Sequence, residues 1–198
     1  MPDLGQHVVF APQSYASIPR RIIAAAIDVA LLLCVLTGAG VVLQAQYVPN
    51  EVIVMPRSAE KQRLINKYMR PVQLPTVVGW FLFCGAYHVV PRRLGVGTLG
   101  YLVAGVRIVD GFGHAPGWKQ LFKRFVLGVP FVGFFGMAYL TCAQNPRRQA
   151  FHDRWSGTWV VRRSAVSEGP AKPAYQTKLL GPVLLTYLDL EPLEGGGG

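Results

Sequence analysis

The feature that most constrains this chain is an apolar run over residues 22–44, IIAAAIDVALLLCVLTGAGVVLQ, in which Asp28 is the one charged residue. A helix of this length crosses a bilayer hydrocarbon core of roughly 30 Å. A carboxylate at the centre of such a helix costs about 2.5–3.5 kcal/mol on insertion scales, so it indicates a structural or functional role. The run therefore predicts a membrane-spanning helix with Asp28 as its candidate functional residue.

Two further apolar runs follow, over residues 74–90 and 125–143. Apolar residues make up 51% of the chain and charged residues 15%, against about 25% charged in soluble domains. Because Pro130 and two glycines interrupt the third run, it predicts either one apolar helix or a re-entrant helical hairpin. We expect an all-α polytopic membrane protein with two transmembrane helices plus this third element.

The distribution of Lys and Arg predicts the orientation. Residues 1–21 and 91–124 together hold eight of them, and residues 45–73 hold five. We therefore place the N-terminus and the 91–124 segment in the cytoplasm and the 45–73 loop outside. That loop contains SAEKQRLINKYM (58–69), which predicts a short surface helix with Ser58 as its N-cap.

Two β-prone segments lie beside basic residues, GVRIVDG (105–111) and TWVVRR (158–163). Val106 and Ile108 alternate with Arg107, which is the pattern of a half-buried strand. We expect the two segments to form a short β-like pair at the cytoplasmic face.

The charged groups near the inner membrane surface predict a network. Arg21 lies two helical turns before Asp28 and on the same face, and His88 and Arg124 fall at similar depth under this topology. One interpretation is an ion or proton relay in which His88 titrates near neutral pH. The other is a buried ion pair that fixes how the helices dock, which we favour because no series of carboxylates marks a path.

Nothing in the sequence predicts an enzyme. His152 and Asp153 have no accompanying nucleophile motif, and GVGTLG (95–100) follows PRRL instead of a buried strand, so it predicts a tight surface turn. The cysteines are odd in number and lack zinc spacing, so we expect no metal and no cofactor. Four tryptophans fall near run ends and in loops, as interfacial anchors do: Trp80, Trp118, Trp155 and Trp159.

In order along the chain, the double arginine and Asp28, then GTLG (97–100), GVRIVDG, Arg124 and HDRWSGTWVV (152–161), resemble the RDD family of small membrane proteins. The similarity runs from about residue 15 to 163. The one arginine and two aspartates for which the family is named would be, by position, Arg20 or Arg21, Asp28 and Asp153. With His88 and Arg124, placed above by depth, we predict a helix-core charge network of Arg20, Arg21, Asp28, His88, Arg124 and Asp153. The similarity also implies cytoplasmic turn motifs at Gly97, Thr98, Gly100, Gly157 and Thr158. Tyr101 is a departure, because the family usually has a basic residue after the TLG turn.

The resemblance also divides the chain. Residues 1–163 would form the RDD-like membrane domain, with an N-terminal tail over 1–19 and an extracytoplasmic loop over 45–73. Residues 164–194 would be a C-terminal tail, and the glycines 195–198 look like an appended remnant.

Some RDD proteins accompany multi-protein envelope systems, including actinobacterial Mce-type lipid importers, and others have been proposed to exchange cations for protons. We expect a non-enzymatic accessory subunit of such a transport complex in the bacterial cell membrane. Its expected partners are a bilayer with anionic lipids and other membrane subunits, and not nucleic acid. The alternative is a small cation/proton antiporter that uses Asp28.

Overall fold

The computed structural model of the protein describes residues 7–132, 142, 147–180 and 183–193. The described part is mostly helical, as expected, but it also contains five strands, which an all-α fold would not. In chain order its elements are β1 (His7–Phe10), a 3-10 turn (Pro12–Ser14), α1 (Ile18–Tyr47), α2 (Asn50–Val54), α3 (Ala59–Arg93), α4 (Leu99–Val103), β2 (Val106–Val109), α5 (Trp118–Val132), α6 (Phe151–Ser156), β3 (Trp159–Arg162), β4 (Ser167–Leu180) and β5 (Val183–Pro192). The chain divides into two compact units, residues 1–26 with 87–198, and residues 27–86.

The second unit, residues 27–86, consists largely of two long helices. α1 contains the first apolar run and α3 contains the second, and both are long and apolar enough to cross a membrane. Few of the residues in their apolar windows are buried by the protein itself. Exposed apolar surface of this extent is expected where a helix faces lipid.

The segment between these helices is more helical than the sequence suggested. Instead of a 45–73 loop with a separate surface helix, α3 begins at Ala59 and continues without a break through the second apolar run. Ser58 is the N-terminal cap that the sequence predicted, because its Oγ accepts a hydrogen bond of 3.1 Å from the Lys61 backbone N–H. Pro71 and Pro75 lie inside α3. Proline usually ends or kinks a helix, but this helix continues through both.

The first unit is built around the antiparallel pair β2–β3, in which Val106 lies opposite Arg162 and Ile108 opposite Val160. The predicted pairing of these segments is therefore confirmed. Since neighbouring residues of a strand point to opposite faces, Val160 packs in one hydrophobic cluster and Val161 in another. The pair is buried on both faces, which explains its run of apolar residues.

Residues beyond 164, expected as a tail, form a sheet with the N-terminus. β4 and β5 are a long antiparallel hairpin, and β1 pairs with the first residues of β4 to complete the strand order β1-β4-β5. Leu190 of β5 and Phe10 of β1 join Trp159 in one hydrophobic cluster. Trp159 is 1% exposed, so it is a core residue of this unit and not the interfacial anchor that the sequence suggested.

The third apolar run begins inside α5, which starts at Trp118, six residues before Arg124. Most of residues 133–146 lie outside the described part of the chain. The choice between a full crossing and a re-entrant hairpin therefore stays a prediction.

Candidate functional site

The candidate site lies in the first unit and centres on Asp153, whose side chain is fully buried (0% exposed). α6 places it there: Asp153 is in the first turn, and its Oδ2 accepts a hydrogen bond of 3.0 Å from the Ala150 backbone N–H. This bond satisfies a donor that would otherwise be unpaired at the start of the helix. The carboxylate thus stabilises the short helix that carries it.

Two buried arginines from distant parts of the sequence neutralise Asp153. Arg21, in the first turn of α1, donates from Nη1 to Oδ2 at 2.6 Å, and its Nε donates to the Ala16 carbonyl. Arg124 of α5 forms an ion pair with Oδ1 through its Nη1. The carboxylate therefore connects the start of α1, the middle of α5 and α6 in one charged cluster, which we call the Asp153 cluster (Arg21, Arg124, His152 and Asp153).

The electrostatics of the cluster keep Asp153 ionised. Burial alone would raise the pKa of its carboxyl, but Arg124 and then Arg21 outweigh burial and hold this pKa well below its usual range. Burial lowers the pKa of His152, and its contact with Asp153, 3.2 Å from Nε2 to Oδ1, offsets this only in part. At neutral pH the cluster therefore contains an ionised carboxylate and a neutral imidazole. A carboxylate whose pKa is this low is poorly suited to general acid–base catalysis near neutral pH.

The Gly157–Thr158 turn holds the cluster from the other side. Gly157 ends α6 with φ +62°, a left-handed conformation that favours glycine. The turn places the Thr158 Oγ1 where it accepts a hydrogen bond of 2.8 Å from Arg124 Nη1. Ser156 Oγ lies 2.9 Å from the same hydroxyl, so Arg124 is held by a small polar network as well as by its ion pair.

The other turn motif lies at the start of α4 and reaches Arg124 through Tyr101. Gly97 has φ +86°, and Thr98, itself buried, precedes the first residue of α4. Gly100 is buried within α4. One residue later, the Tyr101 hydroxyl accepts a hydrogen bond of 3.3 Å from Arg124 Nη2.

The side chain of Tyr101 also meets a second cation. The guanidinium of Arg92 lies 4.5 Å from the centre of the Tyr101 ring, within the range of a cation–π contact. At the position where the family usually has a basic residue, this chain thus has an aromatic side chain between two arginines.

Of the residues predicted as a charge network, Arg21, Arg124 and Asp153 meet in the Asp153 cluster. Arg20 instead donates from Nη1 to the Ala104 carbonyl at 2.9 Å, at the end of α4. The ring of His88 packs against Phe125, with centroids 6.0 Å apart.

Asp28 lies in α1 within the second unit, and its side chain is 2% exposed. The Arg124 guanidinium pairs with Asp153.

Sequence reasoning missed His152 and Gln149 as members of this site. His152 was considered only as an acid–base group, and Gln149, fully buried, donates from Nε2 to the Thr158 carbonyl at 3.2 Å. Gln149 lies two residues before α6, and no sequence pattern at such a position predicts whether a polar side chain is buried or exposed. Asp153, three residues into a short helix, does match the N-terminal preference for acidic residues.

Among the described residues, no group of three or more His, Cys, Asp or Glu side chains is arranged to hold a metal ion. In the Asp153 cluster the carboxylate instead pairs with Arg21 and Arg124.

Two candidate spanning helices, together with a folded unit built around a buried Arg–Asp–Arg cluster, define a small membrane protein with a structured charged core. The RDD family model matches residues 15–157, and the chain belongs to the RDD family of membrane proteins. The Asp153 cluster lies wholly inside the matched region, whereas β3, β4 and β5 lie after it. No curated protein and no solved structure matches the chain.

Proposed function

We propose that the protein is a non-enzymatic accessory subunit of a multi-protein cell-envelope transport complex, such as an Mce-type lipid importer. The observation that carries the proposal is the internal pairing of Asp153: it is fully buried, Oδ2 binds Arg21 and the Ala150 N–H, and Oδ1 forms an ion pair with Arg124. Breaking such a buried cluster costs several kcal/mol. These charges therefore act as an internal tie and not as a site open to a substrate.

The surface of the first unit supports the same proposal. Beyond the family match, the β4–β5 hairpin presents exposed apolar side chains, among them Val166 just before β4 and Tyr175 within it. β5 forms one edge of the three-stranded sheet, and an edge strand has backbone groups that a partner's strand can pair with. A protein whose buried charges pair internally and whose sheet ends in an edge strand is suited to binding other proteins.

In this proposal the first unit faces the cytoplasm and the N-terminus is cytoplasmic. The β2–β3 pair and the segments beside it are rich in arginine, with Arg92, Arg93, Arg107, Arg162 and Arg163 within the unit. Basic residues next to membrane spans favour the cytoplasmic side.

The test is purification of the tagged full-length chain from native membranes in a mild detergent. We expect other membrane proteins to elute with it in fixed stoichiometry. Tyr175→Ser and Val166→Ser are the surface variants that probe the hairpin. Each removes an exposed apolar group without disturbing the Asp153 cluster. If the wild-type chain elutes alone while its neighbours still assemble in a strain that lacks it, the proposal is wrong.

A second function, cation/proton exchange, is favoured by the buried Asp28 within a candidate span. It is tested by reconstituting the chain in liposomes that contain a pH-sensitive dye. An antiporter would give cation-dependent proton flux that Asp28→Asn abolishes. Well-folded wild-type protein that gives no flux with any monovalent cation would refute exchange.

A further inference from the structure

The start of α5 exposes an apolar face where a soluble helix would expose polar residues. Trp118 and Phe122 are 54% and 59% exposed, and Val126 is also exposed, while Leu121, Arg124 and Phe125 are buried. Residues four apart lie on one face of a helix, so Trp118, Phe122 and Val126 form a continuous exposed stripe.

Two lysines lie along one side of this stripe. Lys119 and Lys123 are exposed and, like the stripe, are four residues apart. With about 100° of rotation per residue, both fall within an arc of about 140° that also contains Trp118 and Phe122. Neither α5 nor α6 has a carboxylate other than the fully buried Asp153, so the exposed part of this surface is basic.

α6 extends the surface with a second tryptophan. Trp155 is partly exposed, its ring lies 5.6 Å from Lys123 Nζ, and it packs against Phe151. Trp118, Lys119, Phe122, Lys123 and Trp155 together form a surface that we call the Trp–Lys patch.

The position of the patch in the chain indicates what covers it. After Arg124 the sequence has no charged residue until Arg147, so the patch comes directly before an uncharged stretch long enough to enter a bilayer. Tryptophan rings lie at the headgroup level of membranes, and lysines near the surface attract anionic lipids. Lysine is in contrast depleted from protein–protein interfaces.

We propose that the Trp–Lys patch is a binding site for anionic phospholipid, with Trp118 and Phe122 in the interfacial layer and Lys119 and Lys123 on the phosphate of the headgroup. The site holds the folded unit against the membrane surface. This inference requires a membrane protein but not a transport complex, and it is tested separately from the proposed function.

The test uses the full-length protein reconstituted in vesicles of phosphatidylcholine and phosphatidylglycerol in equal parts, with either lipid brominated on its acyl chain. The difference in quenching between wild type and Trp118→Phe isolates the emission of Trp118. We expect brominated phosphatidylglycerol to quench this emission more strongly than brominated phosphatidylcholine. The ratio of Trp118 quenching by brominated phosphatidylglycerol to quenching by brominated phosphatidylcholine gives a relative binding constant for the anionic lipid.

Lys119→Gln/Lys123→Gln should lower this relative binding constant by roughly fivefold for each lysine removed. Lys119→Arg/Lys123→Arg should preserve it because the charge remains. The control Arg63→Gln/Lys67→Gln removes two exposed charges from α3 and should leave the Trp118 ratio unchanged.

Three results would overturn the proposal. Equal quenching of wild-type Trp118 by the two lipids would show that the patch has no preference for anionic lipid. A ratio unchanged by Lys119→Gln/Lys123→Gln would show that the lysines do not provide it. Absence of quenching by either lipid would show that protein, not lipid, covers Trp118.

Discussion

Asp153→Asn removes the negative charge that Arg21 and Arg124 share while leaving the shape of the side chain nearly unchanged. Arg21 Nη1 lies 2.6 Å from Asp153 Oδ2. With an effective dielectric constant of about 20, the Coulomb energy between the two charges, before desolvation is counted, is roughly 6 kcal/mol. Desolvation offsets part of it, but the variant leaves buried guanidinium groups without their counter-charge. Removing one partner of such a buried cluster costs about 3–5 kcal/mol.

The assay is thermal unfolding of the full-length protein in mild detergent, followed by far-ultraviolet circular dichroism. For a chain of this size about 1 kcal/mol corresponds to a change of roughly 2–4 °C in Tm, so we expect Asp153→Asn to lower Tm by roughly 6–20 °C. Glu191→Gln is the matched control. It breaks the Glu191–Lys172 ion pair, which is 3.6 Å long and about half exposed, and should change stability by less than about 1 kcal/mol.

A double-mutant cycle makes the test specific. Arg124→Gln alone should destabilise the protein, but Asp153→Asn together with Arg124→Gln should cost less than the sum of the two single changes, because the second change removes a charge left unpaired by the first. A Tm for Asp153→Asn within the range of Glu191→Gln, or strictly additive effects in the cycle, would refute the reasoning that Asp153 is an internal tie.

Four further predictions concern the same unit. Because burial lowers the pKa of His152 in the folded protein, stability is full above its unfolded pKa of about 6.5 and falls as pH drops below that value; Tm measured from pH 7.5 to 5 should show this loss, and His152→Gln should reduce it. Tyr101→Phe keeps the aromatic ring but removes the acceptor for Arg124, so unfolding in denaturant should show a loss of about 1.5–3 kcal/mol, and no loss would mean that this bond is unimportant. Gly157→Ala forces a side chain into a left-handed conformation and should cost about 1 kcal/mol in the same assay, whereas Gly157→Asn should cost less. A cysteine at Ser164, in a chain whose three native cysteines are replaced by alanine, should react with a membrane-impermeant maleimide only in inside-out vesicles, and labelling of intact cells would place the first unit outside.

The parts of the fold that the sequence predicted are those with strong periodic or compositional signals. The apolar runs within α1 and α3 exceed what a soluble helix needs, and the alternation around Arg107 identified β2 and its partner strand. The hairpin of β4 and β5 was not predicted. Its strands contain Pro170 and Pro173, which lack the N–H that a sheet requires, and their pairing with β1 joins opposite ends of the chain.

The candidate site was predicted in its members more than in its geometry. Position beside apolar runs singled out Arg21 and Arg124, because charged groups there are costly and therefore informative. Asp153 was predicted only through the resemblance to the family. Which carboxylate pairs with Arg124 depends on how α6 packs against α5, and no local sequence pattern contains that information. The helical period places Arg21 and Asp28 on one face of α1, but it does not show that the partner of Arg21 is Asp153, 132 residues further along the chain.

Asp28 and Asp153, the two aspartates of the predicted charge network, therefore lie in physically different settings. Asp153 lies on α6 in the first unit, where two arginines and a backbone N–H compensate the cost of burying its charge. Asp28 lies within a candidate spanning helix, where its side chain is 2% exposed. α1 carries both Arg21 and Asp28, so this one helix contributes the arginine to the first unit and the aspartate to the second unit. Because the charge of Asp153 is neutralised by its own chain, both of our proposals assign the binding of other molecules to the surfaces of the first unit, the hairpin and the Trp–Lys patch.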